Sequence, residues 1–392
     1  MLAVLSARVV ALSVLVLPLG VTAQLPSHSS ATPDSTRRSS PAADTLASVT
    51  FGGFVDTYYA WDFGRPPTLD RSFAGGALFT TQPARHNEFN VNLAFLEAEV
   101  SGDRVRGRLA LQVGTSVQSN YSGEPTTGHV NGPTVARHIQ EAVAGVRIAR
   151  AAWVDAGIFF SHMGMESWIS RDNPTYTRSL VAEYSPYYQS GVKFTWAPSS
   201  RITAQLDVVN GWQNISENNS GKGAGLRVDF APSANATVSY YNLFSDESGN
   251  RLRTFNGVGA KWKRGPVILL GQLDFGSQAK SASDGGTATW YGAVGVIRLQ
   301  LDSGIAAVGR AERYDDKDQV IIATGADAGG APNGPFRANG GSIGLDVAVG
   351  SRVLWRSEVR GFHNESGIFP NGMGKAAINT NALVVTSLAI TM

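Results

Sequence analysis

The stretch Arg104-Val105-Arg106-Gly107-Arg108-Leu109-Ala110-Leu111-Gln112-Val113-Gly114-Thr115-Ser116-Val117-Gln118 alternates two kinds of side chain. Val105, Gly107, Leu109, Leu111, Val113 and Val117 form one set; Arg104, Arg106, Arg108, Gln112, Ser116 and Gln118 form the other. In an extended chain successive side chains leave the backbone on opposite sides, so this pattern gives one apolar face and one charged face. The same period recurs at 201–208, 226–230 and 342–349. Upstream, Gly102-Asp103 reads as a two-residue turn, which sets Glu99 opposite Arg106 and Glu97 opposite Arg108 on one face, with Leu96 opposite Leu109 and Val100 opposite Val105 on the other. Opposite charges and apolar pairs so matched stabilise an antiparallel ladder. Phe89, Val91, Leu93 and Phe95 break the pattern, because they share a parity with Glu97 and Glu99. They imply either a bulge or a wall of aromatics on the charged side.

Working outward, period-two segments are expected near 48–62, 87–101, 104–117, 138–149, 152–161, 187–198, 201–212, 222–232, 235–245, 253–264, 266–277, 288–301, 304–316, 338–350, 352–363 and 380–392. Most reach the ~9 to 11 residues that a tilted strand needs to cross a hydrocarbon layer. Short turns such as Gly265-Pro266, Asp302-Ser303 and Gly350-Ser351 alternate with long polar loops at 63–86, 118–137, 162–186, 317–337 and 364–379. Short turns on one rim and long loops on the other describe a transmembrane antiparallel up-and-down β-barrel of about sixteen strands, an all-β fold with short periplasmic turns and long extracellular loops. Ionised residues in mid-strand cannot line a dry core unpaired and suit a wet lumen. Tyr58, Tyr59, Trp61, Trp153, Tyr187, Tyr188, Trp196, Trp212, Tyr240, Trp262, Trp290, Tyr291, Tyr314 and Trp355 gather near strand ends, where headgroup depth suits their rings. Closure would also remove the edge that the apolar segment 380–390 would otherwise expose.

Ahead of the strands, Arg8, an apolar run from Val9 to Gly20 and the ending Val21-Thr22-Ala23 read as a secretory signal cut after Ala23. Residues 24–46 are rich in Ser, Pro, Thr and Ala and read as a flexible leader, leaving 47–392 as the barrel. The 392 residues contain no cysteine, which excludes a disulfide scaffold, a cysteine-ligated zinc and an iron–sulfur cluster. A net charge of +2 supplies no basic field for nucleic acid. The six histidines make no i, i+4 pair, Asp315, Asp316 and Asp318 lack calcium-loop spacing, and Gly221-Lys222-Gly223-Ala224-Gly225 lacks the context of a phosphate loop; no metal and no cofactor is expected. Gly340-Gly341-Ser342-Ile343-Gly344 matches the nucleophile pattern of α/β-hydrolases, with Asp346 and His363 following in the right order, but that chemistry needs a strand-to-helix turn and the serine here enters a strand. A catalytic role is therefore not expected, and an outer-membrane lipase or esterase is the alternative reading, beside a plugged structural or binding barrel.

Phe51-Gly52-Gly53-Phe54-Val55-Asp56-Thr57-Tyr58-Tyr59 resembles the first strand of the β-barrel porins of the OmpL-like type. Asn87-Glu88-Phe89-Asn90-Val91-Asn92-Leu93-Ala94 is similar to their second strand, and Gly164-Met165-Glu166 through Arg171-Asp172-Asn173 to Thr177-Arg178-Ser179-Leu180 to their third loop. Val208-Val209-Asn210-Gly211-Trp212 adds a further likeness, so the resemblance covers roughly 48 to 392. It implies an outer-membrane channel for small hydrophilic solutes, embedded in outer-membrane lipid. The chain departs from the common barrel ending, an aromatic residue, by finishing at Met392. Porins of this size often form homotrimers, and no segment here marks such an interface.

For a pore, selectivity follows from width and wall charge. The basic wall is assigned to Arg104, Arg106, Arg108, Arg147, Lys193, Arg227, Lys261, Arg298, Arg310, Arg356 and Arg360. The acidic wall is assigned to Glu97, Glu99, Glu141, Asp155, Asp207, Asp229, Asp274, Glu312, Asp346 and Glu358. The near balance allows only a slight anion preference, and many of the arginines are read as wall braces, given the fork they offer to carboxylates. In the third loop Glu166, Arg171, Asp172 and Arg178 would set the field at a constriction, with Trp168, Ile169, Leu180 and Val181 too apolar to face outward into water.

Overall fold

Sixteen strands close on themselves in chain order in the computed structural model, which describes residues 47–392 apart from 248, 250, 327–329, 331, 332 and 374. The expected signal and leader at 1–46 lie outside the described residues. The strands are β1 (Ser48–Asp62), β2 (Phe89–Ser101), β3 (Val105–Val113), β4 (Ile139–Ala149), β5 (Ala152–Phe160), β6 (Tyr188–Ser199), β7 (Ile202–Val209) and β8 (Gly223–Ser233). They continue as β9 (Ala236–Asp246), β10 (Leu252–Arg264), β11 (Val267–Gln278), β12 (Ala288–Asp302), β13 (Ile305–Asp316), β14 (Phe336–Val349), β15 (Val353–Asn364) and β16 (Thr380–Thr391). Every pairing is antiparallel, and β16 returns to β1 with Ser387 opposite Tyr58 and Thr391 opposite Phe54, so the apolar last strand has no free edge. Among the described residues three short α-helices sit in loops: α1 (Thr115–Asn120), α2 (Pro133–Ala136) and α3 (Leu180–Glu183). Among the described residues no helix is long and apolar enough to cross a membrane.

The opening stretch is shorter as a strand than its alternation predicts. β3 stops at Val113; Gly114 takes φ 143° and α1 follows, so Ser116, Val117 and Gln118 are not strand residues. The reason lies in β2. Asn92 bulges there, between the pairs Asp56–Leu93 and Thr57–Val91. Ser116 Oγ donates to the Asn92 carbonyl at 2.6 Å and Thr115 Oγ1 to the Val91 carbonyl at 3.2 Å, using acceptors that a longer β3 would have needed. The bulge also settles the parity conflict in β2. Above it Phe89 turns outward and is largely exposed, whereas below it Leu93 and Phe95 stay inward and buried, with Phe95 5.6 Å from Phe54 between ring centroids. Both proposed explanations hold, one on each side of Asn92.

The β2–β3 register differs from expectation by two residues. Arg108 lies opposite Glu99 and Arg106 opposite Ser101, because four residues, Gly102 to Val105, separate the last facing pair instead of two, with Gly102 N donating to the Val105 carbonyl. A shift of two preserves the faces, so the charges remain on one side and Leu96, Leu109 and Leu111 remain exposed on the other. The outer face is apolar all round, as at Val192, Leu206, Val208, Val258, Leu273, Ile297, Ile343, Val359 and Leu388.

The aromatic residues divide between the faces. Trp196, Trp262 and Trp355 are exposed near the short-turn rim, Tyr240 is exposed on the outer wall near the middle of β9, and Tyr291 is exposed nearer the loop end of β12. Tyr58, Trp290 and Tyr314 instead point inward and are buried, and Trp153 lies under the inward-facing Arg106 and Arg147. Trp212 stands edge-on to Phe255 and Trp290 inside the loop rim. These five are not headgroup anchors; they pack the loops and arginines that occupy the interior. Loop residues Phe73, Phe79 and Phe369 meet Phe336 and Phe362 of the wall, closing the β13–β16 side beneath the long loops.

Candidate functional site

Residues 161–187, the third loop, run inside the barrel. The entry is fixed by His162, whose Nδ1 lies 2.7 Å from Asp207 Oδ2 with both side chains fully buried, and by Arg227, which donates to the carbonyls of His162 and Gly164 at 2.8 Å each. Met165 N donates to Gln272 Oε1 at 2.9 Å. The loop then crosses to the opposite wall, where Trp168 Nε1 donates to Gln112 Oε1 at 3.0 Å and Ser170 Oγ to Asp56 Oδ2 at 2.8 Å. Its lowest point is Arg171, which donates to the carbonyls of Ser351 and Arg352 in the β14–β15 turn and to Thr391 Oγ1. It returns past β15, β13 and β12 to Tyr187.

On that return the wall holds the loop by its backbone. Arg356 donates to the carbonyls of Ser170 and Pro174 at 2.7 Å each, while its Nε pairs with Asp346 at 2.9 Å. Arg310 donates to the Thr177 carbonyl at 2.6 Å, and Glu358 accepts from Thr177 N and Oγ1 at 2.8 Å each. Glu312 accepts from Leu180 N, the first residue of α3, at 2.6 Å. Arg360 pairs with Glu312 at 2.8 Å, and Arg298 pairs with Asp346. Buried peptide groups must find partners; an irregular segment inside a barrel has no ladder, and these charged side chains replace it.

Predicted wall residues therefore fall into two groups. Arg310, Arg356, Arg360, Glu312, Glu358 and Asp346 point inward but are buried under the loop, so they do not face open water in this structure. Arg298 is only partly covered. On β2–β10 the inward charges meet solvent more often. Arg106 pairs with Asp155, and Arg108 pairs with Glu97 (Nε at 2.7 Å) and with Glu141. Lys193 stands in register between Asp155 and Asp207 and lies over the Phe159 ring. Arg227 pairs with Asp229 at 2.9 Å. Glu99, Arg104 and Lys261 are exposed, Arg147 is half-buried, and Asp274, buried, accepts from Tyr241 at 2.6 Å.

The loop charges are likewise separated. Glu166 is half-buried and accepts from Ser179 N at 3.0 Å; desolvation of its carboxyl holds it above the usual glutamate range. Arg178 is fully buried, its guanidinium carbon 3.3 Å from the Tyr187 ring centroid and 4.8 Å from that of Trp168, and burial lowers its pKa. Asp172 stays near Ser167 Oγ, 3.3 Å away. Asp56, Gln112, His162 and Gln272, which carry the loop, escaped the sequence reading, since single polar residues in an inward parity give no separate signal; for Asp56 the parity shared with Tyr58 and Phe54 was the usable clue.

The serine motif has a structural explanation. Gly340, Ser342 and Gly344 all face inward on β14, and their small size leaves a trough over which β13 and β15 exchange charges. A Cβ on Gly340 would stand 2.9 Å from Glu312 Cγ. Asp346 is engaged by two arginines, and His363 is exposed on the opposite face of the wall from the buried Ser342. Ser342, Asp346 and His363 are not brought together. Among the described residues no group of His, Cys, Asp or Glu could hold a metal ion.

The family model described as "Putative beta-barrel porin-2, OmpL-like" matches residues 48–392. Solved structures share the fold at low identity. The anion-selective porin from Comamonas acidovorans is 12% identical with a TM-score of 0.54, over 88% of this chain and 100% of that one. OprB of Pseudomonas putida is 10% identical with a TM-score of 0.57, over 88% and 94%. OmpT of Vibrio cholerae is 9% identical with a TM-score of 0.54, over 89% and 99%. No curated protein sequence matches the chain.

Proposed function

This chain belongs to the OmpL-like β-barrel porin family and is an outer-membrane porin, and from that premise we propose that small hydrophilic solutes pass along the β2–β10 side of its lumen, past a constriction made by the third loop. The observation that carries the reading is the loop's course: it is fastened most densely to β12–β16 and β1, and most of the inward charges that retain solvent contact lie on β2–β10, with the partly covered Arg298 of β12 beside the loop. Arg104, Arg106, Arg108, Arg147, Lys193, Arg227 and Lys261 line this route with Glu97, Glu99 and Asp229, while Glu141, Asp155 and Asp207 are buried against their partners, and the small excess of cations gives anions a slight preference. Arg298, Arg310, Arg356 and Arg360 with Glu312 and Glu358 act as braces that fix the loop, and Glu166, Arg171, Asp172 and Arg178 shape it. No catalytic step is assigned: diffusion needs none, and the separation of Ser342 from His363 supports a channel over an esterase. Residues 1–23 act as the cleaved export signal, the apolar outer face meets outer-membrane lipid, and the family likeness supports a homotrimer.

The test is reconstitution of the folded, heat-modifiable protein into a planar bilayer, with reversal potentials under a salt gradient. Stepwise ohmic conductance with anion preference is expected; absence of steps from folded protein would remove the channel. A second reading draws on one observation, the burial of Tyr176, Arg178, Leu180 and Val181 in a densely packed loop. Under it the barrel is plugged and its lumen is a binding chamber, and the same bilayer records, silent in that case, separate the two.

A further inference from the structure

A concavity of about 330 Å³ opens in the wall below the third loop, on the inward faces of β7–β10 near the short-turn rim. Volume alone would accommodate roughly ten waters at ~30 Å³ each. Its charges decide what it would hold. Arg227 and Asp229 lie in it, but they neutralise each other: Arg227 Nε donates to Asp229 at 2.9 Å, Ser239 Oγ donates to the same carboxylate at 2.5 Å, and the remaining Arg227 donors serve loop carbonyls and Ser239. Two further cations, Arg201 and Lys261, enter the concavity from the β6–β7 turn and from β10, and neither side chain has an ion-pair partner among the described residues. β7 and β10 lie three strand spacings apart, roughly 14 Å along the wall, within reach of two long side chains converging on one guest. Thr203 and Thr237 add hydroxyls to the lining. Met165 of the third loop roofs the concavity, its side chain lying against Gly259, where any Cβ would collide with it.

We propose that this concavity is a binding subsite for a small, doubly charged oxyanion, held between Arg201 and Lys261 with Thr203 and Thr237 donating to its oxygens. The proposal rests on the porin reading for its place on a solute route and deepens it by naming the solute class. Two unpaired cations facing one solvent-open recess favour a dianion over chloride, because a polyatomic dianion matches both charges and offers separate oxygens to cations that enter from different strands, whereas chloride carries one charge on one centre. Inorganic phosphate and succinate are two sources of that chemistry, a phosphoryl group and a dicarboxylate.

The test is equilibrium binding of inorganic phosphate, at a pH where it is doubly charged, to the full-length protein folded in detergent, with succinate and chloride as competitors, followed by phosphate block of single channels. Phosphate is expected to bind, chloride to compete weakly, and Arg201→Gln or Lys261→Gln to weaken binding and block by roughly tenfold each, as expected for loss of one charged bond. Arg264→Gln removes the same charge from the same rim on the outer face and is expected to leave binding within about twofold, since solvent and salt screen it. Competition by succinate widens the class to dicarboxylates, and failure of succinate narrows it to phosphoryl groups; either keeps the site. Equal phosphate affinity in Arg201→Gln and the parent, or chloride competing as strongly as succinate and phosphate, overturns it. Because binding is read without current, a silent bilayer would count against the channel and not against the subsite.

Discussion

Arg310 and Glu358 meet at 2.9 Å although a whole strand, β14, lies between the strands that carry them. Both side chains are essentially without solvent contact, and the Thr177 peptide is bound by the two together. A buried pair of this kind is weak evidence for stability by itself, since taking two charges out of water offsets much of their attraction. Its effect here is positional: the pair presents a donor and an acceptor at fixed points in a lumen that offers the loop no ladder.

Removing one partner should therefore be far more harmful than the pair's net worth suggests. Arg310→Ala leaves Glu358 buried without its cation and frees the Thr177 carbonyl, so a loss of about 3–5 kcal/mol is expected. Thermal unfolding followed by the heat-modifiable gel shift checks the size, and protease cutting within 161–187 checks that the loop is what loosens. An Arg310→Ala barrel as stable as the parent would show that the loop is held elsewhere.

The trough on β14 makes a second, sterically sharp case. At Gly340 a side chain would meet Glu312 Cγ and Phe362 Cδ1, both 2.9 Å from the added Cβ. Gly340→Val should cost about 1–3 kcal/mol, the usual range for overpacking, and should unseat the Arg360–Glu312 pair. Gly295, on the outer face of β12, has nothing within 4 Å of such a Cβ; Gly295→Ala should change stability by less than about 0.5 kcal/mol. Equal behaviour of the two variants in the unfolding assay would refute the trough.

That contrast also marks what could be read from residues in a row. The strands were legible because one face meets an apolar medium continuously, so Val105, Leu109 and Leu111 against Arg106 and Arg108 repeat without interruption. The wall charges were legible as a class for the same reason. Their partners were not, because a pairing such as Arg106 with Asp155 skips the intervening β4 strand, crossing above Gly145, and depends on register and on a neighbour of small size. The inward course of the third loop was foreshadowed by its apolar residues, yet Arg171 reaching Ser351 joins positions that no local pattern relates. Trp153 and Trp290 misled for the complementary reason: an amphipathic ring suits headgroups and loop packing equally, and parity near a strand end is easily lost.

Acidity should tighten the loop. Glu166 lies in the third loop, outside the strands, and burial raises its pKa despite Arg310 and Arg178 nearby. A carboxyl whose folded pKa is raised adds stability that is fully present below the ordinary glutamate value and is lost as pH rises through the raised one. Protease cutting of the loop should thus be slowest in mild acid and faster at neutral pH. Glu166→Gln should protect the loop at neutral pH and abolish most of the pH dependence, with the two proteins converging below about pH 4. Faster cutting of Glu166→Gln at neutral pH would mean that the ionised carboxylate, through its arginine neighbours, is the favoured form.

The deepest anchor of the loop offers the cleanest separation of seating from barrel stability. Arg171 donates to the Arg352 carbonyl at 2.9 Å, to Thr391 Oγ1 at 2.6 Å and to the Ser351 carbonyl, tying the loop to the short-turn rim at β15 and β16. None of these acceptors belongs to the ladder hydrogen bonds that close β16 on β1, so Arg171→Ala should leave the unfolding temperature nearly unchanged. What it removes is a set of charge-assisted bonds worth about 1.5–3 kcal/mol to the seated loop, equivalent to a rise of roughly 10- to 100-fold in the population of its lifted state. Native-state proteolysis reads that population when lifting is fast relative to cutting. The expected result is a matching increase in cleavage within 161–187, accompanied in the bilayer by noisier open-channel current, as a loop that fluctuates in the lumen modulates the area left for ions. Unaltered cleavage with unaltered noise would show that the contacts above Arg171, at Arg356 and Arg310, are sufficient to seat the loop without its tip.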